Sequence, residues 1–158
     1  MLRVNRLTDY AVMLLVDLLQ SEPVHPAAEL AAGSGIPLPT VSKILKQLVR
    51  AEILRSVRGA NGGYGFARSP AEISMAEIIE ALEGPIAVTG CVEDGGEVCD
   101  RQGACPMSSH WNAVNVAIRR SLDEVRLIDL LPEARFMTRD EVAERVARRH
   151  AVPAEAGW

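Results

Sequence analysis

The sequence predicts a mainly α-helical fold, and three observations carry that reading. Leu7, Tyr10, Ala11, Leu14, Leu15 and Leu18 recur at three- and four-residue steps near the start. Val41, Ile44, Leu45 and Leu48 repeat the pattern, and Trp111, Val114, Ile118, Leu122 and Val125 sustain it later. Such spacing puts apolar side chains on one helical face. Only a modest β component is expected, in two short strands, Ile53 to Val57 and Tyr64 to Ala67.

The first helix follows Asn5 or Thr8, either of which can cap it. Ser21-Glu22-Pro23-Val24-His25-Pro26 breaks it with two prolines. Pro26 suits the first turn of a second helix, Pro26 to Ala32, because an amide there is unpaired in any case. Gly33-Ser34-Gly35 is a tight turn, and a third helix runs from about Leu38 to Ala51. Opposite its buried stripe lie Thr40, Ser42, Lys43, Lys46, Gln47 and Arg50. A short helix, a glycine-bearing turn and a longer helix with a polar, basic outer face form a helix-turn-helix pattern.

The two strands come next, joined by Gly59-Ala60-Asn61-Gly62-Gly63. A basic hairpin directly after such a helix reads as a wing, with Arg58 and Asn61 at its tip. Glycines there serve either positive φ or close approach to a groove. The expected architecture is therefore a winged helix-turn-helix head with a two-stranded wing plus a long dimerisation helix.

Ser74-Met75-Ala76-Glu77 is a capping box that opens a helix to about Glu83, and Gly84-Pro85 ends it. Residues 86–105 are crowded with turn formers. From Pro106 the long helix begins, its seam of Trp111, Val114, Ile118, Leu122 and Val125 suited to a homodimer spine. Order is expected to end at Pro132, with one short helix around Arg139 to Arg149 and a frayed tail. This divides the chain into a head (1–84), a cysteine-bearing loop (85–105), a dimerisation helix (106–131) and a tail (132–158).

Charge follows the same division. Residues 1–70 carry 8 Lys and Arg against 5 Asp and Glu, whereas residues 71–158 carry 9 against 16. Within 40–68, Lys43, Lys46, Arg50, Arg55, Arg58 and Arg68 face only Glu52. A basic head on an acidic remainder is the pattern of a DNA-reading module joined to a sensing or dimerising body. The 158 residues are 48% apolar and 24% charged, a globular composition. The longest apolar run, Ala11 to Val16, falls far short of the roughly 20 residues a membrane span needs. With Asp9 and Asp17 bracketing it, no signal peptide is expected, and the location expected is cytoplasmic.

Cys91, Cys99 and Cys105 are the only cysteines, an odd number that argues against a disulfide framework. Their spacing, C-x7-C-x5-C, lacks the close pairs of structural zinc sites. Three thiols on a glycine-rich loop can wrap a larger object, as thiolates do around iron-sulfur clusters. Thiol redox sensing and no function for the three thiols are the competing readings. For a fourth ligand, His110, His25, Asp9 and Glu93 all stay open. Neither a C-x-x-C pair, nor a phosphate loop, nor a nucleophile with its base is present, so the chain is not expected to be an enzyme.

These residues resemble a known family. Leu7-Thr8-Asp9-Tyr10-Ala11, the helix Leu38 to Leu48, the wing from Val57 to Tyr64 and the three late cysteines look like the Rrf2 family of bacterial winged-helix regulators. The resemblance spans about residues 1–131 and points to the iron-sulfur-sensing branch of IscR, NsrR and RirA kinds. Met1-Leu2-Arg3 and the run Cys105 to Trp111 look most like regulators of suf cluster-assembly genes. It implies a homodimer on double-stranded operator DNA, with a 2Fe-2S or 4Fe-4S cluster on Cys91, Cys99 and Cys105. Thr40, Ser42 and Lys43 match positions that read the major groove, and Arg58 and Asn61 match wing positions in the minor groove. Where IscR-type sensors place a ligand histidine, this chain has Ser108; the aspartate of NsrR-type sensors falls on Asp9.

The expected function is a transcription factor whose operator binding is controlled by the cluster, with Lys46, Arg50 and Arg68 on phosphates. A nitric-oxide- or redox-sensing repressor is the alternative within the family. A metal-binding protein-docking module that does not bind DNA is the alternative of another class.

Overall fold

A computed structural model describes residues 3–21, 23–90, 92 and 105–150. Six α-helices and one antiparallel hairpin make up the described chain: α1 (Arg6–Gln20), α2 (Ala27–Ser34), α3 (Leu38–Arg50), β1 (Leu54–Val57), β2 (Gly63–Phe66), α4 (Met75–Glu83), α5 (Ser108–Glu124) and α6 (Arg139–His150). The mainly helical, winged architecture is as expected. None of the described helices is long and apolar enough to cross a membrane.

Local signals explain the boundaries. The Asn5 side chain accepts the Thr8 amide and caps α1, while Thr8 itself is fully buried inside the helix. Pro26 takes the N-cap position of α2, and Gly35, in the left-handed region at φ 70°, closes it. Ser74 and Glu77 form the reciprocal capping box of α4. Thr138 and Glu141 do the same for α6: Glu141 accepts from both the amide and the hydroxyl of Thr138.

The end of α3 carries no glycine. Ile53 donates to the Leu48 carbonyl and Glu52 to that of Val49, a Schellman closure that forces Glu52 to φ 57°. Ile53 and Leu48 are both fully buried, which supplies the apolar contact that accompanies this closure.

One core unites the head. Leu14, Leu15, Leu18 and Leu19 of α1 pack with Val41, Ile44, Leu45 and Leu48 of α3, and with Ile53, Leu54, Ile73 and Ile78. Each fully buried Leu or Ile contributes roughly 1.5–3 kcal/mol of transfer free energy. Leu127, Ile128, Leu131, Val142 and Val146 belong to this same core. Order therefore does not end at Pro132. After α5 the backbone is stitched to the start of α4, with Met75 donating to Val125 and Leu127 donating to Ile73. Two short 3-10 turns, Leu127–Leu130 and Pro132–Arg135, then lead back over the head to α6. The physical reason is the apolar pair Val142 and Val146, one turn apart, which gives α6 a face to bury.

Candidate nucleic-acid interface

Pro37 takes the N-cap position of α3 and Pro39 sits in its first turn, so the helix starts without a side-chain cap. With Val41, Ile44, Leu45 and Leu48 buried, the opposite face is fixed. Lys43, Lys46 and Arg50 are exposed, and Thr40 and Ser42 are half-buried. Lys43, Lys46 and Arg50 follow one another at steps of three and four residues, so they line one side of α3.

The hairpin pairs Leu54 with Phe66 at its root and Val57 with Gly63 near its tip. Arg58 and Asn61 occupy the exposed turn beyond Val57. Gly59 is the one wing glycine with positive φ, at 118°. Among the described residues, Lys43, Lys46, Arg50 and Arg58 make no ion pair. Four exposed, unpaired cations on one helix and one hairpin tip can meet the phosphates of a duplex. Arg68 is different: its guanidinium is held by the Glu77 carboxylate and the Glu72 carbonyl, so it braces the start of α4.

A third strand-like segment backs the wing, and it has no periodic signal. His25 donates to the Tyr64 carbonyl at 3.0 Å and its own carbonyl accepts the Tyr64 amide at 2.8 Å. A Cβ at Gly63 would overlap the His25 carbonyl carbon and oxygen, and one at Gly65 would overlap the Pro23 carbonyl oxygen. These two glycines serve close backbone approach inside the protein, which neither turn conformation nor groove contact requires.

Of the three cysteines, Cys91 and Cys99 lie outside the described residues, as does Glu93. Cys105 is half-buried, three residues before α5. Asp9 is exposed in the first turn of α1, and His110 is exposed in the first turn of α5. The buried Thr8 beside Asp9 donates to Glu83 at 2.6 Å, which ties this end of α1 to the end of α4. His25 pairs instead with Glu29 at 3.2 Å. No three His, Cys, Asp or Glu side chains are gathered for a metal among the described residues.

The path from the head to α5 runs through Asn115, which sequence reasoning passed over. Asn115 is buried in α5; its Nδ2 donates to the Ile86 carbonyl at 2.9 Å and its Oδ1 accepts the Val88 amide at 3.1 Å. Its only signal in the sequence is a polar residue beside an apolar seam. That seam divides. Ile118 and Leu122 pack on Ala76, Ile79 and Ile86. Trp111 and Val114 are 39% and 42% exposed and line a groove of about 620 Å³ with Val4, Pro85 and Ile86. Val125 caps the helix and is 38% exposed.

Residues 4–133 match the Rrf2 family, described as iron-dependent transcriptional regulators. Rv1287 of Mycobacterium tuberculosis, named as an HTH-type transcriptional regulator, is 30% identical over 94% of this chain and 96% of its own. The HTH-type transcriptional regulator IscR of Aliivibrio salmonicida is 30% identical over 77% of this chain and 73% of its own. The solved structure of T. potens IscR is 30% identical and superposes with a TM-score of 0.60 over 87% of this chain and 93% of its own. CymR, the global cysteine regulator of B. subtilis, shares the fold with a TM-score of 0.64 at 24% identity, over 82% of this chain and 96% of its own.

Proposed function

The chain belongs to the Rrf2 family of transcriptional regulators, and we propose that it is a homodimer whose operator binding is controlled by an iron-sulfur cluster on Cys91, Cys99 and Cys105. It is a DNA-binding transcriptional regulator and not an enzyme. The observation that carries the DNA contact is the set of unpaired, exposed cations on α3 and the wing tip. In this reading Thr40, Ser42 and Lys43 read base edges, Lys46 and Arg50 hold phosphates, and Arg58 and Asn61 enter the minor groove.

The donor set supports the cluster. Three thiols and no close cysteine pair suit iron-sulfur ligation better than zinc. When bound, such a cluster supplies a thiolate-held cross-link that exists only while iron and sulfide are present. Asp9 and His110 are the two candidates for a fourth ligand, one in the first turn of α1 and the other in the first turn of α5. The likeness to IscR proteins supports genes of iron-sulfur assembly (suf) or iron homeostasis as targets. The exposed Trp111 and Val114 on α5 support a second copy as the occupant of that groove.

An absorption spectrum of anaerobically purified protein tests the cluster. Bands between roughly 320 and 550 nm that vanish in Cys99→Ala are expected. Loss of the same bands in Asp9→Ala, but not His110→Ala, would identify the fourth ligand. A colourless protein that also fails reconstitution with iron and sulfide refutes the cluster. For the DNA contact, Lys46→Ala is expected to weaken binding to every duplex alike and to lower the salt slope by about 0.9. An unaltered slope would remove Lys46 from the interface.

A further inference from the structure

The last turn of α1 leaves carbonyls that the helix cannot pair. The Ser21 hydroxyl covers two of them, donating to Asp17 at 2.8 Å and reaching Leu18 at 3.4 Å. For the Leu19 carbonyl the partner due four residues on is Pro23, which has no N–H. No basic residue lies in this turn either. The missing donors arrive from the other end of the chain. Arg149 donates a guanidinium N–H to the Leu19 carbonyl at 3.0 Å, and His150 Nε2 donates to the same oxygen at 3.2 Å. A cation at a helix C-terminus is also favoured by the helix dipole.

The same histidine touches the wing. Its ring meets that of Phe66 edge to face, with centroids 5.3 Å apart and planes at 89°. Phe66 is the root residue of β2, opposite the buried Leu54. The segment leaving α1 forms the other flank of β2, through the paired His25 and Tyr64. So α6 grips β2 directly through Phe66 and grips its flanking strand through the end of α1. An isolated two-stranded hairpin is marginal in water, and its direction is set by what backs it.

We infer that Arg149 and His150 are positioning residues for DNA binding: by clamping the end of α1 and the root of β2, α6 fixes where the wing tip stands relative to α3. The inference rests on the reading of Arg58 as a wing contact. α6 begins beyond residue 133, where the family match ends.

A double-mutant cycle in the full-length protein tests it, read by fluorescence anisotropy. The probe is a duplex selected by the wild-type protein from a randomised pool. His150→Ala and Arg58→Ala are each expected to weaken binding about tenfold, and the double variant to bind little worse than either single one. His150→Gln, which keeps a donor at the same reach, is expected to restore most of the affinity. Amide exchange at Tyr64 and Phe66 should quicken in His150→Ala and in Arg149→Ala, the second variant in case the first folds poorly. Losses that multiply independently, or unchanged exchange at β2, would overturn the inference. If Lys46→Ala weakens binding while His150→Ala does not, the clamp fails and the DNA interface stands. A wild-type protein that selects no duplex overturns both.

Discussion

The hydroxyl of Thr8, fully buried in the first turn of α1, donates to Oε1 of Glu83 at the end of α4 across 2.6 Å. The same oxygen accepts the Asn5 amide at 2.9 Å. One carboxylate, distant in sequence, thus completes the amino end of α1 and ties it to the end of α4. Thr8→Val keeps the shape but removes the donor. A loss of about 1–2 kcal/mol in urea unfolding is expected. An unchanged midpoint would mean that Glu83 is satisfied by Asn5 and water alone.

Glu52 closes α3 with a left-handed backbone that costs an L-residue about 1 kcal/mol relative to glycine. Its side chain is exposed. Glu52→Gly is therefore expected to stabilise the protein by a few tenths to about 1 kcal/mol, seen as a rise in Tm. A fall in Tm would show that the unfolded-state freedom of the new glycine outweighs the relief of strain.

Gly63→Ala tests the third strand. A methyl group there must displace the His25 backbone, so a loss of roughly 1–3 kcal/mol is expected, with faster exchange of the Tyr64 amide. If the variant is as stable as the parent and exchanges equally slowly, segment 23–25 does not back the wing in solution.

Asn115 holds residues 86–88 on α5 by its two hydrogen bonds. Asn115→Leu leaves the Val88 amide and Ile86 carbonyl without these partners and is expected to cost about 1–3 kcal/mol. Hydrogen exchange should quicken at Val88 while the α1 and α3 amides stay protected. Uniform quickening throughout would instead report global destabilisation, with no local role for the clasp.

The His150 pKa lies below its ordinary value, chiefly because burial disfavours the charged ring, with Arg149 and His25 adding repulsion against the opposing hydrogen bond to Leu19. Arg55 and Arg68, from β1 and the segment after β2, line the same cleft, and His25 itself faces Glu29. A depressed histidine pKa means the unfolded chain binds the proton first. The contribution of neutral His150 is thus complete above about pH 6.5 and is lost as pH falls below it through the folded value. Thermal melts from pH 7.5 to 5 should show a steeper decline for the wild type than for His150→Gln. Parallel curves would remove His150 as a source of pH dependence.

Short-range signals made much of this fold legible. The apolar steps from Leu7 to Leu18 and from Val41 to Leu48 fixed two helices and their buried faces, because a 3.6-residue repeat needs no distant partner to be recognised. The Ser74 and Glu77 box fixed the start of α4 for the same reason: both of its hydrogen bonds are local. Basic residues without acidic neighbours marked the face of α3 and the wing tip.

Other features needed the tertiary structure. The end of α3 carries no glycine because Ile53 is drawn into the core and pulls Glu52 into a left-handed turn. The seam of α5 reads as one stripe, yet its second half packs on α4 while its first half stays uncovered; identical spacing cannot say which neighbour a stripe will meet. Gly63 looks like a turn residue and Gly65 like an ordinary strand position until the backbone of 23–25 is laid against them.

By itself, then, the sequence determined the helices, the hairpin, the basic face and the family. Tertiary structure alone decided that α6 returns to the core, that Arg149 and His150 complete the end of α1 from the far end of the described chain, and that Arg68 braces the head. Periodicity and caps act within a turn or two of chain, whereas an orphan carbonyl or an exposed stripe is satisfied by whatever folding brings within about 3 Å of it.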